Sequence, residues 1–131
     1  MLLDTSGLFC LFHAAELQHP QAVSSFDSAE IKVTTNYVLA EFVALADTRR
    51  LSRQLALEFV VALPDSTEVT VIYVHDMLHR AAVHLLQQRL DKRWSLCDAV
   101  SMVVMNQYGI YEVLTTDHHF EQAGFRRLLT P

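Results

Sequence analysis

Glycine and proline are scarce in this sequence of 131 residues, which contains three of each. No stretch rich in glycine, proline or serine divides the chain, so we find no linker and expect a single domain over residues 1–131. No internal repeat of solenoid or propeller length is present. Because 51% of the residues are hydrophobic and 19% are charged, a domain of this length can bury a substantial core.

Long hydrophobic runs are also absent. No segment approaches the length needed to span a membrane, and Asp4 interrupts the apolar N-terminus, which has no basic region ahead of it. We therefore expect no secretory signal, no contact with membranes and a cytoplasmic location. The only two cysteines, Cys10 and Cys97, are predicted to be reduced thiols that pack in the core.

The chain has no excess of positive charge, because ten basic and fifteen acidic residues give a formal net charge of −5. This balance argues against a protein that holds nucleic acid by bulk electrostatics. It does not exclude a nuclease, since divalent cations can neutralise an acidic site when substrate arrives. Six basic residues form two groups that either contact RNA or end solvated helices. They are Arg49, Arg50 and Arg53, and Arg89, Lys92 and Arg93.

Several catalytic motifs are missing. The sequence has no G-x-S-x-G nucleophile elbow and no glycine-rich phosphate loop. The histidines within residues 75–84 do not share one helix face well, so they do not predict a zinc site. His118 and His119 follow Asp117 and suggest a transition-metal site or an acid–base pair. We interpret the two histidines instead as the solvent-exposed first turn of a helix.

Apolar periodicity predicts that strands alternate with helices. Short apolar runs predict strands at 1–4, 31–34, 69–74 and 111–115, and residues 126–129 are compatible with a fifth. Helical spacing predicts helices at 5–16, 21–29, 36–49, 51–63, 75–90 and 96–108, and one or two helical turns after Asp117. Continuous apolar strands of this kind are typical of a parallel sheet covered on both faces. We therefore predict a three-layer α/β/α fold whose central parallel sheet has four or five strands.

Four carboxylates stand out against this pattern. Asp4 ends the first strand and Asp117 the fourth, and the two converge if these strands are neighbours, because ligands bind where the strand order reverses. Glu41 and Asp98 lie on helices in apolar surroundings. Each aspartate alone can be explained as a helix cap, Asp98 by its capping-box spacing from Ser95. As a set, four close acids would repel one another without a cation, so they predict a Mg²⁺ or Mn²⁺ site.

Four short segments also carry a family resemblance. They are residues 2–6 (Leu-Leu-Asp-Thr-Ser), 36–42 (Asn-Tyr-Val-Leu-Ala-Glu-Phe), 95–100 (Ser-Leu-Cys-Asp-Ala-Val) and 114–120 (Leu-Thr-Thr-Asp-His-His-Phe). In their order and spacing, over nearly the whole chain, they resemble the PIN domain, and most closely the VapC-type toxin ribonucleases of bacterial toxin–antitoxin pairs. Many members of this family have a further acidic residue two positions after the one that corresponds to Asp117. This chain has His119 there, so the number of metal ions per site stays open.

The resemblance implies a metal-dependent endoribonuclease that cuts single-stranded or looped RNA in an acidic pocket, with Mg²⁺ or Mn²⁺ as cofactor. The catalytic, metal-binding acids that it implies are Asp4, Glu41, Asp98 and Asp117. The supporting hydroxyls that it implies are Thr5 or Ser6, and Thr115 or Thr116. It also implies a cognate antitoxin as partner and a homodimer.

Two alternative functions remain open from the sequence. An aspartyl-phosphate phosphohydrolase or receiver-like domain would use Asp4 as its nucleophile. Against this alternative, residue 6 is a serine rather than a second acid, and neither of the two lysines, Lys32 and Lys92, is well placed. The non-enzymatic alternative is a PIN-like interaction module that has lost catalysis, and such a module would not be stabilised by Mn²⁺.

Overall fold

The computed structural model describes all 131 residues and contains five strands and seven helices. The strands are β1 (Leu2–Leu3), β2 (Val33–Thr35), β3 (Thr70–Ile72), β4 (Glu112–Leu114) and β5 (Arg126–Arg127). The helices are α1 (Thr5–Phe12), α2 (His19–Ser28), α3 (Asn36–Thr48), α4 (Arg53–Asp65), α5 (Asp76–Gln88), α6 (Leu96–Tyr108) and α7 (His119–Gln122). Every predicted element is present, including the fifth strand. The prediction was too long for α1, which ends at Phe12 instead of residue 16.

All five strands are parallel and follow the order β3-β2-β1-β4-β5. The central strand, β1, pairs with β2 on one side and with β4 on the other, so Leu2 lies opposite both Val33 and Val113. The direction in which strands are added to the sheet reverses between β1 and β4. The first and fourth strands are therefore neighbours, which is the condition under which Asp4 and Asp117 converge.

Hydrophobic residues form one cluster on each face of the sheet. Leu3 and Leu114 belong to the cluster that packs against α1, α2, α3 and α4. Leu2 and Val113 belong to the cluster that packs against α5, α6 and α7. Successive residues of β1 and β4 separate in this way because side chains of a strand point alternately to its two faces. The predicted three-layer α/β/α fold with a parallel sheet is confirmed.

Gly7 allows α1 to cross closely over the end of β4. A Cβ atom at this position would lie 2.0 Å from the carbonyl oxygen of Leu114, so no larger residue fits without movement of the backbone. The close crossing brings the residues at the start of α1 against those that follow β4.

The remaining structural expectations concern the thiols and membranes. Cys10 and Cys97 are both buried and unpaired, as predicted. None of the helices combines the length and the apolar character that a membrane crossing requires.

Candidate active site

The four candidate acids line one cavity of about 430 Å³ at the carboxyl ends of β1 and β4. Its wall consists of Asp4, Thr5, Ser6, Glu41, Leu45, Asp98, Thr116, Asp117 and His118. No lysine or arginine contributes to this wall, so no basic side chain serves as a permanent counter-ion for the acids. The structure therefore brings together the acids that the sequence singled out, although they come from four separate parts of the chain.

Asp4 is held at the junction of β1 and β4. Its backbone N–H donates to the Leu114 carbonyl at 3.2 Å, and its Oδ2 accepts a 2.7 Å hydrogen bond from the Thr115 hydroxyl. Asp4 occupies the N-cap position of α1, but its side chain makes no capping hydrogen bond, so the helix-cap explanation is wrong for this residue. Its Oδ1 is buried and has no hydrogen-bond partner. An unpaired buried carboxylate oxygen is costly unless a ligand satisfies it.

The pKa of Asp4 also indicates that a cation would stabilise the site. The pKa of Asp4 is raised from 3.8 to about 7, chiefly by burial. The Thr115 hydrogen bond lowers this pKa, and the nearby charges of Asp98 and Glu41 raise it. Without a cation, the site therefore holds a proton on Asp4 near neutral pH. A bound divalent cation would favour the ionised carboxylate instead.

Glu41 reaches the cavity from α3. The Thr5 hydroxyl donates a 2.8 Å hydrogen bond to Glu41 Oε1, which links the start of α1 to the middle of α3. Glu41 itself is exposed, so the expectation of apolar surroundings was wrong for this side chain. The reason is the helical period, which turns Val38 and Phe42 into the core and leaves Glu41 at the solvent side of the cavity.

Asp98 serves as a helix cap and lines the cavity at the same time. In a capping box at the start of α6, the Asp98 N–H donates to Ser95 Oγ and the Ser95 N–H donates to Asp98 Oδ2, both at 3.0 Å. The capping prediction is thus confirmed. Since Asp98 is only 5% exposed, the cap fixes this carboxylate in one orientation beside Asp4.

A network of hydroxyls orders the turn that carries Asp117. Thr115 Oγ1 accepts from the Asp117 N–H at 3.0 Å, and Ser6 Oγ accepts from the Thr116 N–H at 2.9 Å. Because the single Thr115 hydroxyl proton goes to Asp4, the 3.0 Å contact between Ser6 and Thr115 requires Ser6 as the donor. Of the four candidate hydroxyls, that of Thr116 alone makes no hydrogen bond within the protein, although Thr116 lines the cavity.

His119 is a site residue that sequence reasoning missed. Its Nδ1 lies 3.2 Å from Asp98 Oδ2 and 3.3 Å from Asp117 Oδ2, and its side chain is 22% exposed. The interpretation of both histidines as solvent-exposed was wrong for His119 and right for His118, which is 67% exposed. Asp117, His118 and His119 could together hold a metal ion, since their ligand atoms lie within 4.8 Å of one another. The available signal was the position of His119, two residues beyond Asp117.

Cys97 packs in the core, as predicted from the sequence. It is buried next to the acids, and burial raises the pKa of its thiol, with further increases from the charges of Glu41, Asp4 and Asp98. The thiol is therefore protonated at neutral pH. Cys97 therefore packs beside the acids as a neutral core residue and is not a nucleophile.

The structure places the two groups of basic residues outside the acid cavity. Four of the six form ion pairs within 4.0 Å, and Arg50 and Arg93 form none. The ion pairs are Arg49 with Glu16, Arg53 with Asp47, and Arg89 and Lys92 with Asp91. Solvated helix ends thus account for most of these residues. Arg50 and Arg93 remain free to contact a polyanion.

The donor set suits a hard divalent cation. Mg²⁺ and Mn²⁺ prefer carboxylate oxygens and usually keep several waters, so they need only a few protein ligands. The cavity supplies four carboxylates, no competing cation and the unpaired Asp4 Oδ1. The residues present therefore fit such an ion.

Comparison with known proteins gives relatives across the whole chain. No protein-family model matches it. The chain is 31% identical over 126 residues, 95% of each chain, to the 23S rRNA-specific endonuclease VapC20 of Mycobacterium tuberculosis. It is 30% identical over 123 residues to ribonuclease VapC26 of the same organism, which covers 92% of this chain and 89% of that protein. The crystal structure of M. tuberculosis VapC20, described as a Sarcin-Ricin loop cleaving toxin, matches with a TM-score of 0.87 at 30% identity, over 99% of this chain and 98% of that one.

Proposed function

Because this chain belongs to the VapC-type PIN-domain toxins, which are ribonucleases, we propose that it hydrolyses RNA with Mg²⁺ or Mn²⁺ at the acid cavity. The proposed metal-binding and catalytic residues are Asp4, Glu41, Asp98 and Asp117. The observation that carries the metal dependence is Asp4 Oδ1, which is buried without a hydrogen-bond partner among other acids. A divalent cation satisfies this oxygen and offsets the repulsion between the carboxylates.

When bound, the metal ion would lower the pKa of a water molecule and would supply positive charge to neutralise the transition state. The chain's own residues hold the acids in place. The Thr115 hydroxyl donates to one oxygen of Asp4, and the Thr5 hydroxyl donates to one oxygen of Glu41. The second oxygen of each carboxylate accepts no hydrogen bond from a hydroxyl. Asp98 or Asp117 accepts the proton of the attacking water. Since water is the nucleophile, no serine or cysteine nucleophile is required.

The proposed substrate is a folded loop of 23S rRNA. The names of the VapC20 relative and its structure specify 23S rRNA and the Sarcin-Ricin loop, and the match covers nearly all of both chains. The acidic net charge and the absence of basic residues from the cavity wall also argue against tight binding of any RNA strand. Recognition by the shape of a presented loop is consistent with these features.

The proposed partners are a cognate antitoxin and a second copy of the chain, both in the cytoplasm. An apolar strip on α4 offers a surface for a protein partner. Leu57 and Val61 are 41% and 67% exposed, and they line a shallow cavity of about 890 Å³ that is separate from the acids.

The direct test is cleavage of intact ribosomes and of deproteinised total RNA by the purified protein, with breaks mapped by primer extension. We expect a discrete break in 23S rRNA with Mn²⁺ or Mg²⁺, no break in EDTA, and recovery when the metal is restored. Asp4→Asn should abolish cleavage. Asp76→Asn, which alters an exposed acid on α5, is the matched control and should cleave normally. Cleavage that persists in EDTA or in Asp4→Asn would overturn the proposal.

The same variants separate the alternative functions. A receiver-like or phosphohydrolase activity would give hydrolysis of small phosphoesters or a phosphoryl group trapped on Asp4, and we expect neither. A module without catalysis would show no thermal stabilisation by millimolar Mn²⁺, whereas a metal-binding cavity is stabilised because the folded state alone binds the ion.

A further inference from the structure

The ring of His119 stands between two of the four acids. Nδ1 lies 3.2 Å from Asp98 Oδ2 and 3.3 Å from Asp117 Oδ2, so it is nearly equidistant from the two carboxylates. The backbone N–H of His119 also donates to Asp117 Oδ1 at 2.9 Å, which fixes the residue close to its neighbour. The side chain is 22% exposed and therefore held largely within the protein.

The surroundings determine which role Nδ1 has. Ionised carboxylate oxygens only accept hydrogen bonds, so a nitrogen that faces two of them is favourable as an N–H donor and unfavourable as a lone pair. Asp98 Oδ2 already accepts from the Ser95 N–H as well. Hydrogen-bond donors therefore occupy the side of Asp98 and Asp117 that faces His119.

We infer that His119 limits the acid cavity to one divalent cation, because its ring fills the gap between Asp98 and Asp117 that a second ion would need. In two-metal nuclease sites the ions lie about 3.5–4 Å apart and share carboxylates. Such an ion must approach each oxygen to about 2.1 Å. A cation between Asp98 Oδ2 and Asp117 Oδ2 would have to displace the ring or take Nδ1 as a ligand. His119 is thus a positioning residue for these two acids.

The single ion then belongs at oxygens of the other two acids, Asp4 and Glu41. The buried, unpaired Asp4 Oδ1 is available there, and Glu41 has one oxygen that no hydroxyl engages. This inference rests on the proposed metal dependence, since it specifies how many ions the same cavity holds.

The test counts Mn²⁺ ions bound per chain in the full-length protein, by calorimetric titration and by the EPR signal of free Mn²⁺. We expect one ion for the wild type and one for His119→Asn, whose amide N–H can replace the Nδ1 donor. We expect two ions, the second bound more weakly, for His119→Asp. His84→Asp is the matched control, because it adds the same charge at an exposed histidine of α5 that does not line the acid cavity, and it should leave the count at one.

Each other result contradicts the inference in a recognisable way. Two ions in the wild type would overturn the limit of one and leave the metal dependence standing. A second ion in His84→Asp as well would show that total charge, not the gap, sets the number of bound ions. A nitrogen coupling in the pulsed EPR spectrum of bound Mn²⁺ that vanishes in His119→Asn would make His119 a ligand. No bound ion in any variant would overturn the proposed metal dependence and the inference together.

Discussion

The Thr115 hydroxyl donates a 2.7 Å hydrogen bond to Asp4 Oδ2, while Asp4 Oδ1 is buried and has no partner. The two residues directly follow neighbouring parallel strands, β1 and β4, although they stand at opposite ends of the chain. The sheet topology thus fixes one oxygen of the most buried acid, and the other oxygen has no hydrogen-bond partner in the protein. The proposed chemistry depends on this asymmetry.

The raised pKa of Asp4 predicts how stability depends on pH in the absence of metal. In the unfolded chain Asp4 ionises near 3.8, whereas in the folded protein its pKa is about 7. The folded state therefore loses stability as the pH rises from 3.8 to 7, and the loss is complete above pH 7. Asp4→Asn should be more stable than the wild type at pH 8 in EDTA, by on the order of a few kcal/mol.

Urea unfolding of both proteins at several pH values measures this difference. The difference should shrink toward zero near pH 3, because Asp4 is then neutral in the folded state and largely neutral in the unfolded state. Mn²⁺ at pH 8 should stabilise the wild type and not the variant. A stability difference that is independent of pH would show that Asp4 is not protonated in the folded protein.

Thr115→Val tests the hydroxyl that orients Asp4. Valine keeps the shape of threonine but removes the hydrogen bonds to Asp4, Ser6 and the Asp117 N–H. We expect weaker Mn²⁺ binding and cleavage lowered by roughly tenfold or more, since the lost hydrogen bond to a charged group is worth about 1.5–3 kcal/mol. Thr48→Val, which removes an exposed hydroxyl on α3, is the control and should retain activity.

Glu41→Gln and Asp98→Ala should separate catalysis from stability. Glu41 is exposed, and glutamine can still accept the Thr5 hydrogen bond, so this variant should lose cleavage but unfold at the wild-type urea concentration. Asp98→Ala removes half of the α6 capping box as well as an acid, and should lose cleavage and about 1 kcal/mol of stability. Full activity in Glu41→Gln would remove Glu41 from the proposed ligand set.

Gly7→Ala and Gly109→Ala compare two glycines that the fold requires for different physical reasons.

 A Cβ atom at Gly7 would lie 2.0 Å from the carbonyl oxygen of Leu114. A Cβ atom at Gly109 would meet no atom within 4 Å, and only the positive φ of 65° disfavours a side chain there. We expect Gly109→Ala to cost roughly 1–2 kcal/mol. Gly7→Ala should cost more and also lose activity, because α1 must move away from β4. Equal urea midpoints for the two variants would contradict the close crossing of α1 over β4.

Much of the fold could be predicted because it depends on local patterns. Short apolar runs predicted the strands, and the helical period of the apolar residues predicted the helices. The pairing of β1 with β4 was predictable only as a condition, since the two strands are separated by most of the chain and no local pattern sets strand order. The length of α1 was overestimated because apolar periodicity continues beyond Phe12, where the backbone leaves the helix.

The candidate site shows the same division between local and distant effects. Asp98 was recognised as a cap from its spacing to Ser95, and its second role in the cavity depends on how α6 packs. The exposure of Glu41 and the burial of His119 were misjudged from sequence. In both cases the environment is set by elements distant in the chain, and for His119 the decisive neighbour is Asp98 on α6.

The most direct measurement for the central claim is the anomalous scattering of Mn²⁺ in crystals of the full-length protein. The proposed site predicts one strong peak in the acid cavity, about 2.0–2.3 Å from Asp4 Oδ1 and within ligand distance of at least one more of the four acids. The peak should be absent from Asp4→Asn crystals prepared in the same way. A wild-type cavity without a peak, or a peak that persists unchanged in Asp4→Asn, would contradict the account.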